Sequence, residues 1–269
     1  AGYSAADARI LARLAAEGAA VGFTKADTAA GVLVGVLKAY DLPVSEARHV
    51  MDVLFQTVNT GIITFEGLAG GLGKVLSSAA ALDVPLEEVG AAIATMTLRG
   101  FTGAQAMTSL GRMMQTFIRP SQRAKDVAAG LGIELSATTI QSKGFIVTLQ
   151  EMYEAAGRDV TKFSAMFDQI QATRGAVSLF ADDGKMLTAV LRQMGMASAG
   201  AGAMAEAMEE RAKSLKFQLG VLRSQALAVV VDALEPLMDG LAGVLGNMNN
   251  ILAGRNSIVN YFADMRTLV

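Results

Sequence analysis

Apolar residues recur three and four positions apart along nearly the whole chain, the spacing of one face of an α-helix. Alternating apolar and polar stretches bounded by hairpin turns are absent, so strands are not expected. Helix punctuation supports the pattern. Ser4-Ala5-Ala6-Asp7 and Thr102-Gly103-Ala104-Gln105 read as N-caps with a partner three residues on. Arg99-Gly100 reads as a basic last turn followed by a left-handed glycine, and Pro43 and Pro85 suit first helical turns, where a missing N–H costs nothing. The predicted fold class is all-α, a set of helical hairpins forming a bundle.

Two stretches resemble each other at an offset of 42 residues: Asp41-Leu42-Pro43-Val44-Ser45-Glu46-Ala47 aligns with Asp83-Val84-Pro85-Leu86-Glu87-Glu88-Val89. The same offset lays Thr60-Gly61 on Thr102-Gly103 and Leu68 on Leu110. Two copies are fewer than the ~3 that a solenoid needs, so duplicated hairpins within one bundle are expected over residues 1–197. From Ser198 the sequence turns small and then amphipathic, and a long helix with C-terminal helices is expected over 198–269. Leu215, Leu219, Leu222, Ala226, Val229 and Ala233 follow a heptad spacing that Pro236 ends. That stripe is either the buried face of a long helix on its own bundle or a self-association seam.

Composition narrows the chemistry. The 269 residues are 52% hydrophobic and 18% charged, which excludes global disorder. With Cys 0 there is no disulfide, thiolate nucleophile or cysteine metal site, and with His 1 no two-histidine metal site within one chain. A net charge of −2 and pI of about 5.6 argue against nucleic-acid binding, which needs a basic surface. The longest run free of charged side chains, Gly240–Gly254, has 15 residues and three asparagines, short of the ~18 of a membrane span. Residues 1–10 carry no signal-peptide pattern, and a start at Ala1 suggests a piece of something longer.

The remaining candidates read as structure. Gly67–Val75 has a glycine-rich look, but five residues separate Gly67 from Gly73 and Val75 follows Lys74, where a phosphate loop needs four and a hydroxyl. Glycines allowing close helix approach is the better account. His49 has no nucleophile motif to serve, and Asp182-Asp183-Gly184 lacks the further ligands of a calcium loop, so it is expected to turn the chain and cap the next helix. The 15 methionines, including Met113-Met114 and Met194/Met196, are expected to fill core. The 28 glycines are costly in helices and imply either close packing or helices that separate easily. No catalytic, cofactor or metal residue is expected, and no enzyme.

From Phe55 to Ile133 the order Gln56–Gly61, Leu82–Ala94, Arg99–Gly103, Arg119-Pro120 and Leu131-Gly132-Ile133 resembles the core region of phage tail tape measure proteins. Lys143-Gly144-Phe145, Leu179-Phe180 and Ser224–Pro236 with Leu237-Met238 continue the likeness. The resemblance implies a non-enzymatic virion component that sets tail-tube length during assembly and leaves ahead of the DNA. It implies a homo-oligomer (trimer or hexamer) and, as partners, the tail-tube protein, tail assembly chaperones, distal-tail or tail-tip hub proteins, and a host membrane on ejection, with no specific nucleic-acid binding. Localisation would be the tail lumen or tip, and the host cytoplasm during assembly. The reading from another class is a membrane-active helical translocator or pore-former.

Overall fold

The structure, a computed structural model, describes residues 3–200 apart from residue 23. Among these, helices alternate with short turns and no strand occurs. The long helices are α1 (Ala5–Gly22), α2 (Ala26–Ala39), α3 (Ala47–Thr60), α6 (Leu86–Leu98), α7 (Gly103–Ile118), α10 (Phe145–Ala155), α12 (Ile170–Phe180) and α13 (Lys185–Gly200). Shorter pieces fill the gaps: α4 (Phe65–Ala69), α5 (Gly73–Ala81), α8 (Gln122–Ala129), α9 (Ala137–Lys143) and α11 (Val160–Ser164), with a 3-10 turn at Val44–Glu46.

The centre of the bundle is α6. Its sequence is apolar or small on every side after the first turn, and Val89 through Thr97 are all buried. A helix of this composition is stable only when surrounded, and α3, α7, α12 and α13 surround it. The outer helices are one-sided instead. In α1, Leu11, Leu14, Ala15 and Gly18 face inward at helical spacing, and in α2, Ala29, Val32, Leu33, Val36 and Leu37 do the same.

Glycine decides how closely several of these helices meet. A β-carbon on Gly90 of α6 would overlap Thr57 Oγ1 of α3, and one on Gly111 of α7 would stand 3.2 Å from the Lys74 carbonyl oxygen of α5. Gly175 of α12 likewise faces Ser109 Cβ of α7 at 2.9 Å, and Gly18 of α1 faces Met51 Sδ of α3 at 2.6 Å. Buried methionines such as Met51, Met107, Met113, Met114 and Met194 pack into the irregular spaces between helices. Met196 lies outside the residues whose side chains are described.

The sequence signals at helix ends are largely seen. Thr102 and Gln105 form a reciprocal capping box: the Gln105 N–H donates to Thr102 Oγ1 at 3.3 Å, and the Thr102 N–H to Gln105 Oε1 at 3.0 Å. The Asp7 N–H donates to Ser4 Oγ at 3.1 Å. Gly100 takes φ +89, and the Phe101 N–H reaches back to the Met96 carbonyl, closing the turn that links α6 to an antiparallel α7. Pro43 and Pro85 stand one place earlier than expected. Each is the N-cap with extended ψ, and its carbonyl accepts the first N–H of the following turn, from Glu46 at 3.0 Å and Glu88 at 3.1 Å.

The two Asp-x-Pro segments are alike in backbone. Asp41 and Asp83 both adopt the left-handed region, with φ of 51° and 53°, and the next residue's N–H closes the same turn, Leu42 to the Leu37 carbonyl and Val84 to the Ala79 carbonyl. The Thr-Gly pairs differ, because Thr60 ends α3 whereas Thr102 starts α7. After α3 the chain breaks into α4 and α5 around Gly70–Leu72, where α7 runs unbroken. The stretch from Ser198 begins inside α13. The seam at Leu215, Leu219, Leu222, Ala226, Val229 and Ala233 lies outside the described residues, as does the expected long helix.

Candidate functional site

Polar residues from several elements meet at the N-terminal end of α6. The Tyr40 hydroxyl donates to the Val84 carbonyl at 2.9 Å and ties the two Asp-x-Pro turns together. Burial pushes the Tyr40 hydroxyl well above the usual tyrosine range, with the carboxylates of Glu87 and Glu88 adding to the effect. His49 of α3 sits 3.1 Å from Glu87 Oε1 and is partly exposed. Glu88 turns the other way. Its carboxylate accepts the Ile146 N–H at 2.9 Å and so caps α10, although 58 residues separate the two in sequence. Desolvation raises the Glu88 pKa, against the lowering effect of the backbone N–H groups of Ile146 and Phe145. The segments Asp83–Val89 and Lys143–Phe145, noted separately in the sequence, are thus parts of one joint.

A second joint closes the opposite end of α6. Arg99 reaches Asp182 Oδ1 at 2.6 Å, and Asp182 Oδ2 accepts the Met186 N–H at 3.0 Å. Asp183 accepts from the Tyr153 hydroxyl at 3.3 Å, and Asp183 and Gly184 both have positive φ. Asp182-Asp183-Gly184 therefore turns the chain and caps α13, as its sequence suggests. These carboxylates hold helices in place.

Other sequence candidates are dispersed. Gly67 and Gly73 belong to α4 and α5, and no strand precedes them; Lys74 is exposed. Close approach in this stretch is seen at Gly71, where a β-carbon would overlap Met107 Cε, while Gly73 faces open space. Among the described residues, no group of three or more His, Asp or Glu is placed to hold a metal ion, and no helix is long and apolar enough to cross a membrane. An open groove of about 420 Å³ lies between α5, the end of α7 and the loop before α12, with Ser78, Gln115, Ile118, Arg119, Asp168 and Gln169 in its lining. It holds no nucleophile paired with a base. Sequence reasoning missed both the Glu88 cap and this groove, since each depends on contacts remote in the chain.

Comparison with known proteins gives a consistent picture. Residues 1–181 match the model of the phage-related minor tail protein family. A probable tape measure protein of Clostridium phage phiCD119 is 28% identical over 230 residues, covering 82% of this chain and 24% of that protein. A probable tape measure protein of Escherichia phage P2 is 26% identical over 123 residues (46% of this chain, 15% of the relative). The tape measure protein of Pneumococcus phage Dp-1 is 23% identical over 232 residues, 80% of this chain and 19% of its own length. The chain thus spans less than a quarter of the length of each of these relatives. No solved structure matches it. With the matched region running from α1 to the end of α12, the chain belongs to the phage-related minor tail protein family.

Proposed function

We propose that this chain is a segment of a phage tail tape measure protein, a non-enzymatic component that sets tail-tube length and leaves the tail ahead of the DNA. The observation that carries the reading is the family match over residues 1–181, with three relatives named as tape measure proteins or probable ones. The polar side chains at both ends of α6 are engaged in holding helices, which agrees with a structural role. The partners follow from the role: further copies of the chain, the tail-tube protein, assembly chaperones and the distal-tail or tip hub, with a host membrane on ejection. The tail lumen or tip is the proposed site, after assembly in the host cytoplasm. The paired Asp-x-Pro turns are proposed to mark a duplicated 42-residue hairpin, and residues 198–269 a second unit whose heptad stripe joins copies.

Tail length tests the ruler role. A helix rises 1.5 Å per residue, so deleting residues 42–83 from an extended ruler shortens each tail by ~63 Å in electron micrographs. Tails of unchanged length would remove this segment from the ruler.

A further inference from the structure

Helix α13 differs from the other helices that surround α6. Among its described side chains Leu187, Val190 and Met194 are buried, one per turn at helical spacing, and the rest are half-buried or exposed. In α3, α7 and α12 about two residues per turn are buried. α13 packs along α6 and α3 and touches α12. Two buried hydroxyls on these neighbours, Thr95 Oγ1 of α6 and Ser178 Oγ of α12, find no hydrogen-bond partner, so part of what burial contributes here is offset.

The start of α13 is held more firmly than its length. One carboxylate ties it to the end of α6: Asp182 Oδ1 lies 2.6 Å from Arg99 Nη2, and Asp182 Oδ2 accepts the Met186 N–H at 3.0 Å. Both side chains of the ion pair are partly buried, which shields it from screening. The next two residues rest on the aromatic cluster. Asp183 accepts from the Tyr153 hydroxyl at 3.3 Å, and a β-carbon on Gly184 would stand 3.2 Å from the Phe180 ring. Asp183 and Gly184 take φ of 58° and 74°, so the chain reverses between α12 and α13 within these residues. A thinly buried arm thus leaves a well-packed corner through a two-residue turn, and a single carboxylate fastens it.

We propose that α13 is a strap, which lifts as one unit about Asp183-Gly184 when the Asp182 latch opens and uncovers α6 while α1 to α7 keep their packing. Local opening of this kind is drawn from the parts of a fold where buried apolar contact is sparse. α6 is apolar or small on every side after its first turn, so lifting the strap presents an apolar strip. The sequence runs on from α13 to Val269, and a pull or a partner acting on that part of the chain reaches the bundle through the strap. The opening does not depend on the ruler role.

Introduced thiols report the opening cleanly, because the sequence has Cys 0. Leu187→Cys and Met194→Cys stand at the two ends of the strap's buried stripe, and Met113→Cys, fully buried on α7, is the reference for the bundle. In the full chain, iodoacetamide should label positions 187 and 194 at least about 100-fold faster than position 113, with the two strap rates within about threefold of each other. Arg99→Met removes the charge and keeps the apolar stem, and added to either strap variant it should speed labelling at least about tenfold. Equal rates at all three positions would show that the bundle opens only as a whole. Fast labelling at 194 with 187 as slow as 113 would show fraying from the far end. Either result, or strap rates indifferent to Arg99→Met, would overturn the proposal. Circular dichroism checks that each variant folds. Should Met113→Cys unfold, Met107→Cys takes its place, and Val190→Cys does so for either strap variant. Should Arg99→Met unfold, Asp182→Asn replaces it, which can still accept the Met186 N–H but carries no charge; faster labelling supports the latch, and an unchanged rate overturns it.

Discussion

The helices packed on α6 meet a surface of glycine, alanine and threonine, whereas α10, α11 and the C-terminal end of α12 are joined through aromatic rings. On α6 the sequence Gly90-Ala91-Ala92-Ile93-Ala94 leaves room for four neighbours at once. At the other region Phe163 of α11 stands at the middle of a cluster, with its ring 5.4 Å from Tyr153, 5.5 Å from Phe167 and 5.3 Å from Phe180, mostly edge to face. The difference follows from helix length. A long helix gains area along its whole side and needs only closeness, so small residues serve. α11 is five residues long and offers one turn of surface, so a single large side chain must supply its burial.

If that contrast holds, removing the central ring should have the largest effect. Phe163 is fully buried, and Phe163→Ala should cost about 3–5 kcal/mol, read as a lowered denaturant midpoint. Loss of the ring leaves α11 with its Asp159 cap and little else. A cost below about 1 kcal/mol would mean that the corner is held by something other than the aromatic cluster.

Filling a crossing tests the other region and should cost less. The β-carbon of Gly90→Ala would meet Thr57 Oγ1, a buried, β-branched side chain whose hydroxyl is already committed to the Val53 carbonyl at 2.8 Å. It cannot turn aside cheaply, and a loss of about 1–3 kcal/mol is expected. Gly71→Ala is the control, because its new methyl meets the far end of the flexible Met107 side chain, which can shift. A cost at Gly90 as small as that at Gly71 would show that α3 and α6 are free to move apart.

Legibility in the sequence follows the range of the interaction. The capping box at Thr102 and Gln105, the left-handed Gly100 and the turn at Asp182–Gly184 are local, and each can be read from neighbouring residues. The left-handed conformation of Asp41 and Asp83 was hidden by residue type, since glycine is the usual occupant of such turns. The Glu88 cap on α10 was hidden by distance, and in sequence Glu87-Glu88 is a pair of ordinary first-turn acids. The break between α4 and α5 was also missed, because the glycines there looked like helix-contact residues.

Glycine content alone could not say which glycines matter, and the smallest predicted effect turns on that point. Gly31 and Gly35 lie on the exposed face of α2, and a β-carbon at either would have nothing within 4 Å. Neither has the positive φ that would strain an alanine. An interior helical glycine is disfavoured against alanine by the entropy it loses on folding, so Gly31→Ala and Gly35→Ala should each stabilise the chain by about 0.5–1 kcal/mol. For the isolated chain this reverses the sign expected at Gly90, which separates glycines required by contact from glycines that merely weaken a helix. Thermal melts of the two single variants and the double variant decide it, with additive rises in Tm expected. A fall in stability on either substitution would show that the outer face of α2 is already in close contact, and would extend the glycine-mediated packing beyond the neighbours of α6.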